Sequence, residues 1–178
     1  MFSKFLNFFD KHHIEYKIEG SPYETLLNNF EGMEFGEGIF RLFNKKDLYK
    51  WNEIVTEVYP EFKDNFDLFG YDWLGRCFAI DLRDRNTLMF EIEAGEVLNI
   101  SCDILEFFNV EIPVYNDACL ASTFYKEWVE YCGKKAKLNY CMGYKIPLFL
   151  GGEDDISNLE EIDMEVYWSI TGQLNNQC

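Results

Sequence analysis

Two stretches far apart in the chain carry the clearest patterning of apolar and turn-forming positions, Phe66 to Leu82 and Tyr140 to Asp154. In the first, aromatic-rich runs flank Gly70 and Gly75. That pattern predicts a strand, a tight turn carrying Tyr71, Asp72, Trp73 and Leu74, and a returning strand, with the turn at the surface. In the second, Ile146, Leu148 and Leu150 alternate with Pro147 and Phe149 until Gly151-Gly152 stops the run, which predicts a strand opening into an acidic loop. The two stretches read as parts of one sheet.

The rest of the chain supplies the elements around that sheet. Phe2, Phe5, Leu6 and Phe9 fall at helical spacing and predict an amphipathic helix ending near His13. Ser21-Pro22-Tyr23-Glu24 combines an N-cap, a first-turn proline and a capping-box Glu, so a helix should run to about Phe30 and close at Gly32. Ile39 to Phe43 reads as a short strand. Asn44 then caps a helix whose apolar face is Leu48, Trp51, Ile54, Val55 and Val58, ending before Pro60. Thr87 to Glu93 and Glu96 to Ser101, joined at Ala94-Gly95, read as an antiparallel hairpin, so successive strands build a meander. A short helix around Ile104 to Phe108, an extended Ile112-Pro113-Val114, and a helix from Asp117 to Cys132 stopping at Gly133 follow. Asp163 to Gln173 predicts a terminal helix.

At 178 residues the chain is long enough for one domain that buries roughly 70% of its unfolded surface, with a single Phe-dominated core. The net charge of -16 changes the picture more, because it is unevenly placed. No Lys or Arg occurs from Asn86 to Tyr125, against Glu91, Glu93, Glu96, Asp103, Glu106, Glu111 and Asp117. None occurs from Ile146 onward, against Glu153, Asp154, Asp155, Glu160, Glu161, Asp163 and Glu165. Such a surface repels phosphate, which argues against nucleic acid and anionic membrane as partners and favours a basic protein. The plainer reading is that acidity keeps a Phe-rich chain soluble.

Catalytic and cofactor patterns are missing. Cys77, Cys102, Cys119, Cys132, Cys141 and Cys178 form no Cys-x-x-Cys pair and read as free thiols of a reducing cytoplasm. His12 and His13 are adjacent and diverge on a helix, so no zinc site is expected. There is no nucleophile elbow, phosphate-binding loop or His-Glu-x-x-His. A carboxylate hydrolase using Asp72, Asp81 or Glu91 is the remaining enzymatic option, and nothing in the spacing selects a pair. Gly151 to Asp155 lacks the alternate ligand spacing of a calcium loop. Asp72 and Arg76 are placed to pair across the turn, and Trp73 is either a core residue or an exposed anchor. Lys134, Lys135 and Lys137 read as a solvated connection.

Several separated motifs carry a family likeness: Phe69 to Arg76, Gly143 to Gly152, Asn158-Leu159, and Asp163 to Trp168 with Gly172-Gln173-Leu174. Together they resemble the C-terminal domain of type VI secretion immunity proteins that neutralise DNase effectors. Residues 36–43 and the helix containing Trp51 resemble the GAD-like region that often precedes it. The family is similar to the broader SUKH superfamily. The resemblance implies an α+β fold, a single domain over 1–178 with a twisted, mainly antiparallel meander flanked by helices. It places a GAD-like part at about 22–60 and the core of the likeness at about 66–176. It further implies a non-catalytic, cofactor-free cytoplasmic inhibitor of a cognate toxin, a basic nuclease being the candidate. The alternative is a SUKH-type regulatory or scaffold domain with no toxin partner. Contact residues do not transfer with the family, so the expected partner-binding set, Asp72, Trp73, Glu153, Asp154 and Asp155, rests on charge and position.

Overall fold

The structure, a computed structural model, is described over residues 1–177. Helix α1 (Ser3–Phe8) stops short of His13, and Asp10 turns the chain with φ 55°. Helix α2 (Pro22–Phe30) starts on the expected capping box: the Glu24 N–H donates to Ser21 Oγ at 3.2 Å, and the Ser21 N–H donates to Glu24 Oε2 at 2.6 Å. Strands β1 (Glu34–Phe35) and β2 (Phe40–Leu42) precede α3 (Lys45–Val58), which ends before Pro60 as its sequence requires.

Strands β3 (Phe66–Asp72), β4 (Cys77–Asp81), β5 (Thr87–Glu91) and β6 (Glu96–Asn99) complete a six-stranded sheet in chain order, every neighbouring pair antiparallel. The α+β meander is therefore borne out. Its strands are buried along nearly their whole length up to β5, because both faces are covered. Phe78 and Ile80 point into one apolar cluster while Cys77 and Ala79 point into another. A bulge between Leu68 and Gly70 lets Phe69 join the first cluster while Leu68 and Tyr71 stay in the second. Gly70 is required there, since a Cβ would lie 2.7 Å from the Arg41 carbonyl oxygen. The single core expected from composition is thus two cores, one on each face of the sheet.

The first face is covered by α1, α2 and a continuous helical run: α4 (Ile104–Glu106), a π turn (Phe107–Glu111) and α5 (Ile112–Val114). Ile112-Pro113-Val114 is helical rather than extended. The Ile112 N–H reaches back to the Phe107 carbonyl, and this widened turn makes room for the proline ring that would clash with a regular α turn. The expected helix from Asp117 to Cys132 is two helices, α6 (Asn116–Leu120) and α7 (Ser122–Cys132), broken at Ala121 with φ 48°. Gly133 closes α7 with φ 66°.

Strand β7 (Tyr140–Tyr144) pairs with β8 (Leu159–Asp163) in a separate two-stranded sheet, so the two patterned stretches do not share one sheet. The link between them is one ladder-like bond, the Met142 N–H donating to the Trp73 carbonyl at 2.7 Å. The predicted strand at Ile146 to Leu150 is instead a Pro147-led 3-10 turn, Leu148–Leu150. Five alternating residues containing a proline satisfy a strand pattern without being able to fill a ladder. Helix α8 (Met164–Asn175) begins at Asp163, whose carboxylate accepts from the Glu165 and Val166 N–H groups, and it covers the second face with α3. Among the described residues, no helix is long and apolar enough to cross a membrane. Cys77, Cys102, Cys119, Cys132 and Cys141 are free thiols, and Cys178 lies outside the described residues.

Candidate partner-binding cleft

The turn from Asp72 to Arg76 is an interior feature, which corrects its expected place at the surface. Asp72 and Trp73 are both 0% exposed and Arg76 is 6% exposed. Neither Asp72 nor Trp73 therefore reaches the surface in this fold, where the expected contact set placed them. The physical reason is that the turn's polar side chains find partners inside. The Asp72 carboxylate accepts the Leu74 and Arg76 N–H groups at 3.1 and 3.0 Å and pairs with the Arg76 guanidinium at 2.6 Å. The expected Asp72–Arg76 pair is thus present, buried rather than exposed.

The break at Ala121 supplies the remaining partners. A helix end leaves its last carbonyls without intrahelical donors. The Leu120 carbonyl accepts Trp73 Nε1–H at 2.9 Å, and the Cys119 carbonyl accepts Arg76 Nη2–H at 3.1 Å. From α8, Trp168 Nε1–H donates to the Gly75 carbonyl at 2.8 Å. Gly75 itself needs φ +84° with Cys141 packed against it. Three elements, α6, α8 and β7, thus fix one turn.

Above this turn opens a cleft of about 440 Å³ whose lining includes Arg76, Glu91, Glu93, Asp117, Tyr144 and Asp154. Glu127 of α7 is also part of the wall. The two long stretches of sequence without a basic residue converge here, the first supplying Glu91, Glu93 and Asp117 and the second Asp154. Arg76 is already engaged: Nε donates to Asp72 at 2.7 Å, Nη1 to Glu91 at 3.0 Å, and Nη2 to the Cys119 carbonyl. No free guanidinium edge is left for an anion.

Glu93 is the unusual group. It is 4% exposed, and its Oε2 has no hydrogen-bond partner. Its backbone carbonyl holds the cleft wall by accepting the Leu148 and Phe149 N–H groups at 2.9 and 3.3 Å. Burial pushes its carboxyl up to about 8, Arg76 opposing the rise and Glu91 and Asp72 adding to it. An unfolded Glu titrates near 4.3, so between about pH 4.3 and 8 the folded state holds a proton that the unfolded state releases, and stability falls as pH rises through that window. Glu93→Gln removes this loss. Urea unfolding should show the variant close to wild type at pH 5 and more stable by a few kcal/mol at pH 8; parallel pH slopes for the two proteins would contradict the assignment.

The predicted acidic contacts divide. Glu153, Asp154 and Asp155 are exposed. Asp154 stands on the cleft wall and accepts the Tyr144 hydroxyl. Asp155 caps the next turn through the Ser157 N–H at 2.8 Å, and the Ser157 side chain together with that N–H holds its carboxyl below the ordinary range. Of the hydrolase candidates, Asp81 is bound by Arg83 at 2.6 Å, whereas Asp72 and Glu91 are both held by Arg76, Asp72 fully enclosed. Among the described residues, no group of three or more His, Cys, Asp or Glu converges to hold a metal. A second groove of about 470 Å³, between α3 and α8, is lined mainly by apolar side chains such as Ile54, Val58, Val166 and Ile170.

A solved structure, the crystal structure of Atu4351 from Agrobacterium tumefaciens, superposes with a TM-score of 0.58 at 17% identity, covering 79% of this chain and 69% of that one. At that identity the likeness speaks for the fold. No curated protein matches the chain significantly. Residues 111–175, from α5 through α8, match the family model described as "T6SS immunity protein Tdi1, C-terminal". That segment supplies Cys119, Leu120, Tyr144 and Asp154 to the turn and cleft, and it is shorter than the stretch 66–176 over which the motifs suggested the likeness. Over residues 111–175, the family that the motifs pointed to, type VI secretion immunity proteins, is the family this chain matches.

Proposed function

We propose that this protein neutralises a cognate toxin by binding it, with no turnover of its own, and that the acidic cleft with its exposed loop 153–155 is the docking face. The observation that carries the reading is the match of residues 111–175 to an immunity-protein family, because that segment builds one wall of the cleft. The toxin we infer is a basic protein, a nuclease by the family's association with DNase effectors. Carboxylates at the docking face would occupy the positions that substrate phosphates take in the toxin's groove. The asymmetric charge supports this, since a face of one sign steers an oppositely charged partner and raises its encounter rate. The site of action proposed is the cytoplasm of the cell that carries both genes.

The experiment is co-expression with the product of the neighbouring gene. The reading expects toxicity from that product alone and growth when this protein is present; toxicity unchanged by this protein would overturn it. A finer expectation concerns the exposed loop. Glu153 and Asp155 are exposed on either side of Asp154 in the chain, so Glu153→Gln with Asp155→Asn should slow association roughly fivefold at low salt and barely alter dissociation. Stopped-flow mixing at low and high salt measures this, and a change confined to the dissociation rate would count against a steering role.

A further inference from the structure

We propose that the cleft is a socket for one cationic side chain of the partner, an arginine or a lysine, received by Glu93 on the floor and Asp154 on the wall. The inference rests on the toxin-binding reading and names the chemistry at its centre. A row of carboxylates alone would not define a site, since such rows are usually solvated. Here the floor residue is nearly enclosed, has an oxygen without a donor, and lies in a concave cleft. A buried polar atom left without a partner costs free energy, so its presence beside a turn whose polar side chains, Asp72, Trp73 and Arg76, all have partners points to a donor that arrives from outside.

The charges around Glu93 select the sign of that donor. From β3 and the following turn come Asp72 and Arg76, already paired with each other, and from β5 comes Glu91, paired with Arg76. Cys77 and Cys141 face it as thiols that burial keeps neutral, and Tyr59, Tyr144 and Tyr167 face it as phenols raised by burial. Asp154, Asp117 and Glu127 also line the cleft, with Lys126 acting on Asp117. Asp117 is committed to the Thr123 N–H at 2.7 Å. Glu93, Asp154 and Glu127 are left as receivers, and of these Glu93 alone is buried. A guanidinium or ammonium entering the cleft would favour the ionised form of Glu93, whose proton passes to solvent and leaves a carboxylate paired with the new cation. Binding is then coupled to release of one proton, and affinity rises with pH up to about 8.

Calorimetry of the full chain, wild type, Glu93→Gln and Asp154→Asn, against an inactivated form of the neighbouring-gene toxin at pH 6 and pH 8 tests this. Wild-type affinity should rise by up to tenfold per pH unit. Glu93→Gln should bind about thirtyfold more weakly at pH 8 and lose the pH dependence, and Asp154→Asn should weaken binding with the dependence kept. Because Glu93→Gln is expected to be the more stable protein, weaker binding would not reflect unfolding. Equal affinity and equal pH slope in wild type and Glu93→Gln would overturn the socket while leaving toxin binding intact. Titrating the full chain with N-acetyl-argininamide and N-acetyl-lysinamide, followed by amide resonances of Ala94, Ala121 and Tyr144, separates the two failures. Shifts that vanish in Glu93→Gln support a cation site even if that toxin does not bind, the stronger ligand identifies the side chain, and no shift with either overturns the site.

Discussion

Replacing Arg76 with Met is expected to destabilise the fold by about 3–5 kcal/mol, because it leaves the Asp72 carboxylate enclosed with no counter-charge. Asp72 is 0% exposed, and its carboxyl is already pushed up by burial, with Arg76 the principal influence holding it down. The same substitution releases Glu91 and the Cys119 carbonyl from their guanidinium donors. Asp72→Asn combined with Arg76→Met should recover part of the loss, since the neutral amide oxygen still accepts the Leu74 and Arg76-position N–H groups without a buried charge. Urea denaturation of the two single variants and the double variant measures this; a cost below about 1 kcal/mol for Arg76→Met would mean that the pair is solvated and the turn is not an interior feature.

Trp73→Ala should cost a similar amount, about 3–5 kcal/mol, through the void left by the indole and the loss of its bond to Leu120. The ring is fully enclosed, with Phe124 and Tyr125 at centroid distances of 5.5 and 5.1 Å. Trp73→Phe separates the two contributions: it keeps most of the apolar contact but leaves the Leu120 carbonyl at the helix break without its donor, so it should cost roughly 1–3 kcal/mol. Had Trp73 been an exposed docking anchor, both variants would unfold at wild-type urea concentrations and lose only toxin affinity.

The local signals that name their own partner were legible in the chain. Ser21 and Glu24 specify a capping box within four residues, Pro60 ends a helix, Gly133 closes another, and the meander follows from short apolar runs separated by turns. What escaped depends on groups distant in sequence. Asp72 and Trp73 look like surface turn residues until the carbonyls of Leu120 and Cys119 arrive from more than forty positions away. Those carbonyls are free only because the chain breaks at Ala121, a residue with no breaker character. Glu93 was one carboxylate in a run of seven, and no pattern in the run distinguishes the one that folds inward from the six around it. Its nearest hint is position: it follows β5 in the connection to β6, where a side chain can turn beneath the cleft wall at Leu148.

The partition between fold and function follows the same line. The Asp72–Arg76 turn is satisfied internally and holds the structure, whereas Glu93 above it is left unsatisfied and loses stability as pH rises. A group that costs the fold in this way is what a binding site retains and a structural core discards.

The most direct test of toxin neutralisation by binding alone is a titration of the neighbouring-gene toxin's activity on DNA with increasing amounts of this protein. Capture predicts a linear fall to zero at a fixed stoichiometric ratio, unchanged by longer preincubation. Inactivation of many toxin molecules by each molecule of this protein, growing with preincubation time, would show a catalyst and contradict the account.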